Sequence, residues 1–267
     1  TLGQYFPQKS LLHRADPRMK ICLVIYAIVL LFVAGNFASL ALAVLYIGLG
    51  MALSNIPWKL YARSVKPILF LVVFTAVLNI FYGTGEPLWQ FGFLRITRNG
   101  ILNCVFVSVR IVALILASSV LTFTTSPTQL TDAIERLLKP LAKLRVPVHE
   151  FAMMMTIALR FVPTLLEETD KIMAAQKARG ADMESGGITQ RIRALVPVLI
   201  PLFVSAFRRA FDLATAMESR CYHGGEGRTK MKSLHFQKAD WAVLASAVLW
   251  LGAFVLLQVL VPPTIRL

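Results

Sequence analysis

Long runs of uncharged apolar residues constrain this chain more than any other feature. A bilayer core is spanned by about 20 apolar residues in a helix that satisfies its own backbone hydrogen bonds, so each such run is a candidate transmembrane helix. Five occur. Ile21 to Val33 and Phe37 to Leu53 are separated only by Ala34, Gly35 and Asn36 and read as a tight helical hairpin. The others run from about Pro67 to Tyr82, from about Ile101 to Thr124 and from about Trp241 to Val261. The predicted fold is an all-α membrane protein with about five transmembrane helices plus long cytoplasmic helices. A membrane domain covers residues 1–124, a cytoplasmic helical domain 125–238, and the final transmembrane helix with its tail 239–267.

Composition agrees, at 57% hydrophobic and only 16% charged, against about half and a quarter in soluble domains. The net charge of +14 raises the question of nucleic acid. No basic stripe is interleaved with stacking aromatics in a polar domain, so no nucleic-acid partner is expected. An excess of Lys and Arg instead marks the cytoplasmic side of a membrane protein. Lys9, Arg14, Arg18 and Lys20 precede the first span, and Lys59, Arg63 and Lys66 occupy the second loop. The first loop has none and the third only Arg95 and Arg98. The N-terminus is therefore expected in the cytoplasm and the tail, PPTIRL, outside the plasma (inner) membrane. The opening TLGQYFPQKSLLHRADPRMK carries charges and prolines throughout, so no signal peptide is expected. Cys22 and Cys104 sit in apolar runs and read as small buried hydrophobes, with Cys221 far from both.

The segment 125–238 reads as three helices. In the first, SPTQLTDAIERLLKPLAKL, Ser126 and Gln129 form a capping-box pattern and Pro127 fits the first helical position. Leu130, Ile134, Leu137, Leu138 and Leu141 then recur at helical spacing opposite Arg136, Lys139 and Lys143. The second follows Pro147, with a kink expected at Pro163 and a stop at Gly180. The third runs from about Thr189 to Arg220, with Pro197 and Pro201 inside it. The last two end alike: AAQKARGAD against ATAMESRCYH, so that Arg220 matches Arg179 41 positions later in the sequence. Each arginine has a plain reading, a cation in the last helical turn favoured by the helix dipole. Its functional reading is a permanently charged planar fork offered to a partner's carboxylates and carbonyls.

No catalytic, cofactor-binding or metal constellation is expected. His149 and Glu150 do not continue as HExxH; His13, His223 and His235 lack ligand spacing; and no GxxxxGK[ST] phosphate loop occurs, so the chain cannot hydrolyse ATP alone. Glu167, Glu168 and Asp170, beside Lys171 and Lys177, read as a solvated helix face. Arg110, inside the fourth span, is costly there. It has Asn79 and Asn103 as candidate hydrogen-bond partners and admits structural and functional roles equally. Seven of the nine methionines, among them Met153, Met154 and Met155, fall in the 125–238 segment. They read either as ordinary packing or as an adaptable docking surface.

GQYFPQKSLLHRADPRMK, SPTQLTDAIERLLKPLAKLRVPVHE, ALRFVPTLLEETDKIMAAQKARGAD and the terminal MESRCY together make the chain similar to a known family. It resembles the transmembrane T subunit of energy-coupling factor transporters, the vitamin and metal-ion importers of prokaryotes, over essentially its whole length. The resemblance implies a non-enzymatic subunit joining two ABC-type ATPases to a substrate-binding membrane S component. It implies that Ala178, Arg179 and Gly180 form one ATPase-docking motif and that Ser219, Arg220 and Cys221 occupy the second. Met153, Met154, Met155, Leu130, Ile134 and Leu138 are the expected S-component contact surface. The second motif departs from Ala-Arg-Gly, which leaves the arginine's role intact and speaks against a tight Gly-dependent turn there. The N-terminal form looks more like T subunits shared among several S components than like those dedicated to cobalt or nickel. A self-sufficient secondary carrier and a non-transporting membrane scaffold are the rival functions, and the absence of Asp or Glu from the spans counts against the carrier.

Overall fold

Helix starts are set by local chemistry. The computed structural model describes residues 5–8, 10–81, 87–91, 94–181, 187–224 and 238–261. After a short α1 (Leu11–Arg14), Asp16 accepts the Arg18 N–H at 2.9 Å, and Pro17 opens α2 (Pro17–Val33). Asn36 then caps α3 (Phe37–Ser54): its Oδ1 accepts the Ser39 N–H at 2.7 Å, and Ser39 Oγ accepts the Asn36 N–H at 3.4 Å. This reciprocal pair holds the tight α2–α3 turn that the three-residue gap implies. α4 (Trp58–Val65) and α5 (Leu69–Phe81) follow, then β1 (Pro87–Phe91), β2 (Leu94–Thr97) and α6 (Arg98–Thr124). The remaining helices are α7 (Pro127–Leu138), α8 (Val148–Ala178), α9 (Ile188–Glu218) and α10 (Lys238–Leu260).

The chain divides into two compact units, one formed by Gly3–Leu130 with Ser233–Leu267 and the other by Thr131–Lys232. In the first, Leu30 and Leu31 of α2, Ala43 and Ile47 of α3, Phe106, Ala113 and Ala117 of α6, and Phe254 of α10 form a common core. Indole and phenol groups fasten α10 to it: Trp250 Nε1 donates to the Leu42 carbonyl at 3.1 Å and Tyr26 Oη to the Ala247 carbonyl at 3.0 Å. At one end of this bundle the Asp16 N–H donates to the buried Asp240 at 3.0 Å. At the same end, Lys20 Nζ donates to the carbonyls of Thr124 at 3.0 Å and His13 at 3.3 Å. The polar N-terminal motif therefore ties α2, α6 and α10 together. At the other end Asn36 Nδ2 reaches the Val261 carbonyl at 3.1 Å.

Five helices among the described residues are long and apolar enough to cross a membrane: Phe37–Ser54, Trp58–Ile80, Arg98–Thr124, Ile192–Glu218 and Val243–Leu260. Four coincide with expected spans. The first expected span departs from this set because α2 has 17 residues, about 26 Å at helical rise, a few Å less than a bilayer core. Its place is taken by Ile192–Glu218, expected as a cytoplasmic helix. A second departure is the antiparallel hairpin of β1 and β2, pairing Trp89 with Ile96 and Phe91 with Leu94, where only a loop was foreseen. α6 starts where Thr97 Oγ1 accepts the Gly100 N–H at 3.0 Å. A Cβ at Gly100 would stand 2.7 Å from the Ile80 carbonyl, so α5 and α6 approach each other as closely as glycine permits.

Two sequence expectations about side chains change. Cys22 is exposed on α2 rather than buried. Arg110 uses neither Asn103 nor Asn79, whose amide donates to the Thr75 carbonyl within α5. Its guanidinium donates to the Ala34 carbonyl at 2.7 Å and lies 4.7 Å from the Phe106 ring centre. A cation at the carbonyl end of α2 is favoured by the helix dipole, which gives Arg110 a structural role in this bundle.

Candidate partner-docking site

The second unit holds α8, α9 and α7 from Thr131 onward. α7 begins as its sequence demands: Gln129 N–H donates to Ser126 Oγ at 3.3 Å and Ser126 N–H to Gln129 Oε1 at 3.2 Å. Pro140 then converts its end into a 3-10 turn over Lys139–Leu144. The expected apolar face is left uncovered, with Ile134, Leu137 and Leu141 all exposed. His149 at the start of α8 reaches Glu135 of α7 at 3.1 Å.

α8 and α9 are 31 residues each and run antiparallel. Three levels of contact fix this. Tyr222 Oη donates to Met153 Sδ at 3.1 Å, Arg209 Nη2 to Glu168 Oε2 at 2.9 Å, and Gln176 Nε2 to the Pro197 carbonyl at 3.4 Å. Ser205 Oγ donates to the other Glu168 oxygen. Glu168 was expected to face solvent beside Glu167 and Asp170; it is instead the half-buried acid that fastens one long helix to the other. These bonds, first of all the one from Ser205, hold its carboxyl below the usual glutamate range. α8 continues through Pro163, as α9 does through Pro197 and Pro201.

The two arginine motifs end their helices in the same way. At the end of α8, Gly180 N–H donates to the Lys177 carbonyl at 3.0 Å and Ala181 N–H to the Gln176 carbonyl at 3.0 Å, with Gly180 left-handed at φ 86°. At the end of α9, Cys221 N–H donates to the Glu218 carbonyl at 2.9 Å and Tyr222 N–H to the Met217 carbonyl at 3.0 Å, with Cys221 left-handed at φ 55°. Both are Schellman turns, equivalent residue for residue at the 41-position spacing. The tight turn that the missing glycine spoke against therefore forms, with Cys221 in the left-handed position. Arg179 and Arg220 occupy the same place in it. Both are exposed, and neither side chain meets a hydrogen-bonding or ionic partner among the described residues.

Antiparallel packing sends these matched ends to opposite extremes of the pair. Tyr222 beside Arg220 touches Met153, and from there to Arg179 is 26 residues of α8, about 39 Å at helical rise. The structure thus brings the methionine cluster to the second motif and keeps the first distant. Met154 and Met155 are exposed at 57% and 40%. Sequence reasoning missed a longer apolar ridge on α9. Phe203, Phe207 and Phe211 are 64%, 58% and 71% exposed, and with Leu199, Ile200 and Val204 they border an open groove of about 640 Å³. Their spacing of three or four residues was the available signal.

Fold and site together define a multi-pass helical membrane protein with an appended unit of paired, arginine-ended helices. Residues 8–231 match the cobalt transport protein family, CbiQ. A protein of Ruminiclostridium cellulolyticum is 51% identical over 97% of both chains. One of Acidaminococcus fermentans is 52% identical over 97% of this chain and 96% of its own, and one of Bacillus subtilis 46% identical over 92% and 94%. All three are named energy-coupling factor transporter transmembrane protein EcfT. The chain belongs to this family of energy-coupling factor transporter transmembrane proteins.

Proposed function

We propose that this chain is the coupling subunit of an ATP-driven vitamin or micronutrient importer, linking two ABC-type ATPases to a substrate-binding membrane S component, with ATP hydrolysed by the partners. The observation that carries the reading is the pair of equivalent helix ends, Ala178-Arg179-Gly180 and Ser219-Arg220-Cys221, exposed at opposite ends of one antiparallel pair. Two identical geometries about 39 Å apart suit two similar subunits, each receiving one guanidinium. Ala178 and Ser219 keep the approach to each arginine small. The S component rests on apolar faces, namely the exposed Met154 and Met155 with the half-buried Met153, and the exposed Ile134 of α7 with the half-buried Leu130 and Leu138. The N-terminus is cytoplasmic, a reading that rests on the Lys and Arg distribution, and α10 ends on the outer side; Asp16 and Val261 meeting partners at opposite ends of the first unit supports only that the two lie on opposite sides.

Replacing both Arg179 and Arg220 by Ala is expected to abolish co-purification of the ATPases and ATP-dependent uptake while leaving membrane insertion intact. Undiminished uptake refutes the reading. The match to the cobalt transport protein family favours a second reading, dedication to cobalt or nickel uptake. Uptake assays with S components of different substrate chemistry separate the two, since a dedicated subunit serves only one. A self-sufficient carrier would instead transport when reconstituted alone with an ion gradient, and a scaffold would hold the ATPases without any uptake.

A further inference from the structure

A feature that the coupling role does not use lies in the first unit, between the N-terminal segment, α4, the 3-10 turn Lys66–Ile68 and α6. A groove of about 820 Å³ opens there. Leu60, Pro67, Ile68, Leu114 and Ile115 supply its apolar wall, and Arg63, Ser118 and Ser119 its polar groups. Ser119 is 7% exposed, yet its hydroxyl meets no hydrogen-bond partner among the described residues. It faces the groove. A serine hydroxyl in a helix ordinarily bonds the carbonyl a turn back, as Thr122 does to Ser118 in the same helix. A hydroxyl without a protein partner at the wall of a cavity marks a place for an acceptor.

Arg63, which lines the groove, belongs to a cationic helix face. Lys59, Arg63 and Lys66 stand at i, i+4 and i+7, one face of a helix. All three are exposed and none forms an ion pair among the described residues. Trp58 beside them is 70% exposed, while Tyr61 on the opposite face is buried against Phe123. An anchored short helix with an outward tryptophan and three free cations has the composition of a membrane-interface element. A general excess of positive charge would account for the cations, but not for the apolar groove that Arg63 lines or for the serine hydroxyl open to it.

We propose that this groove is a binding site for an anionic phospholipid of the bilayer, its phosphate held by Arg63 with Lys59 and Lys66, its glycerol region by the Ser118 and Ser119 hydroxyls, and an acyl chain along Leu114, Ile115 and Ile68. The charge selects the headgroup and the apolar wall selects a lipid over a free phosphate.

The test is native mass spectrometry of the full-length chain in detergent, titrated with dioleoyl phosphatidylglycerol or dioleoyl phosphatidylcholine. The expected result is preferential retention of the phosphatidylglycerol. Each cation removed should weaken it about fivefold, so Lys59→Gln with Arg63→Gln and Lys66→Gln lowers affinity on the order of a hundredfold. Ser118→Phe, at an exposed position that tolerates the change, should block the groove with the cations intact, and Lys139→Gln with Lys143→Gln in the other unit should alter nothing. Equal retention of both lipids, or undiminished phosphatidylglycerol binding in the triple variant and in Ser118→Phe, overturns the proposal. So does displacement of the lipid by glycerol 3-phosphate, which would make the ligand a soluble phosphate. A photocrosslinker at residue 118 in native membranes should capture lipid; capture of a protein helix in its place also overturns it.

Discussion

Cys221 holds a backbone conformation that Gly180 holds in the matched turn, and exchanging the two residue types measures what that difference costs. A left-handed L-residue is disfavoured by about 1–2 kcal/mol. Replacing glycine also restricts the unfolded chain, which returns about 0.4–1 kcal/mol. A Cβ at Gly180 would meet nothing within 4 Å, so Gly180→Ala should cost the conformational difference alone, about 1 kcal/mol, and Cys221→Gly should gain a similar amount. Hydrogen exchange reads this directly, because the Ala181 and Tyr222 amides close the two turns at 3.0 Å each. About 1 kcal/mol is roughly a fivefold change in the opening equilibrium. Protection of Ala181 should fall about fivefold in Gly180→Ala, and that of Tyr222 rise about as much in Cys221→Gly. If Cys221→Gly lowers protection, the side chain stabilises the turn more than its backbone strains it. If neither variant moves its amide, the turns are not the closing elements of α8 and α9.

Three further outcomes follow from the packing. Glu168 has its carboxyl lowered from 4.5, first by the Ser205 hydrogen bond; a group lowered in the folded state stabilises above its unfolded value and loses that contribution as pH falls through the lowered one. Spin-label distances between α8 and α9 should therefore broaden on acidification below 4.5, and Glu168→Gln should remove that response; an unchanged wild-type distribution contradicts this. Gly100→Ala should destabilise by about 1–3 kcal/mol through overpacking against the Ile80 carbonyl, read as a lower Tm in detergent, whereas Gly252→Ala, inside α10 with nothing within 4 Å, should hold or slightly raise Tm. Arg110→Met keeps the side-chain stem but leaves the Ala34 carbonyl without its donor and should cost about 1–3 kcal/mol in the same assay; an unchanged Tm would deny Arg110 its structural role.

What the sequence made legible was what short-range chemistry decides. The capping box at Ser126, the proline at Pro127, the tight turn at Asn36 and the glycine stop at Gly180 are each determined within a few residues, and each stands where the pattern put it. Arg179 and Arg220 were legible because a repeated helix end needs no tertiary knowledge to see. Glu168 was misread because its partners, Ser205 and Arg209, lie 37 and 41 residues away and become neighbours only when the long helices pair. Arg110 failed for the same reason, since its partner is a backbone carbonyl of another helix and not a polar side chain that a sequence displays. The turn at Cys221 was missed because a propensity of about 1–2 kcal/mol yields to two backbone hydrogen bonds that the helix end would otherwise leave open.

α9 illustrates why apolar length alone is an incomplete guide. Ile192–Glu218 is apolar enough to cross a membrane, but Arg208, Arg209 and Asp212 fall within five residues of one another on it. Each charge near a bilayer centre costs about 2.5–3.5 kcal/mol on the translocon insertion scale. Arg209 is committed to Glu168, and breaking that pair to expose either group to hydrocarbon would add to the cost. The outward apolar residues, Ile200, Phe203, Phe207 and Phe211, recur at helical spacing, so the hydrophobicity is concentrated on one side of the helix while the other carries the ion pair. That distribution suits a helix with one face against apolar material along its length and the other against α8. It explains how the same helix can read as a span by composition and still keep its arginine-bearing end exposed, as the proposed docking role requires.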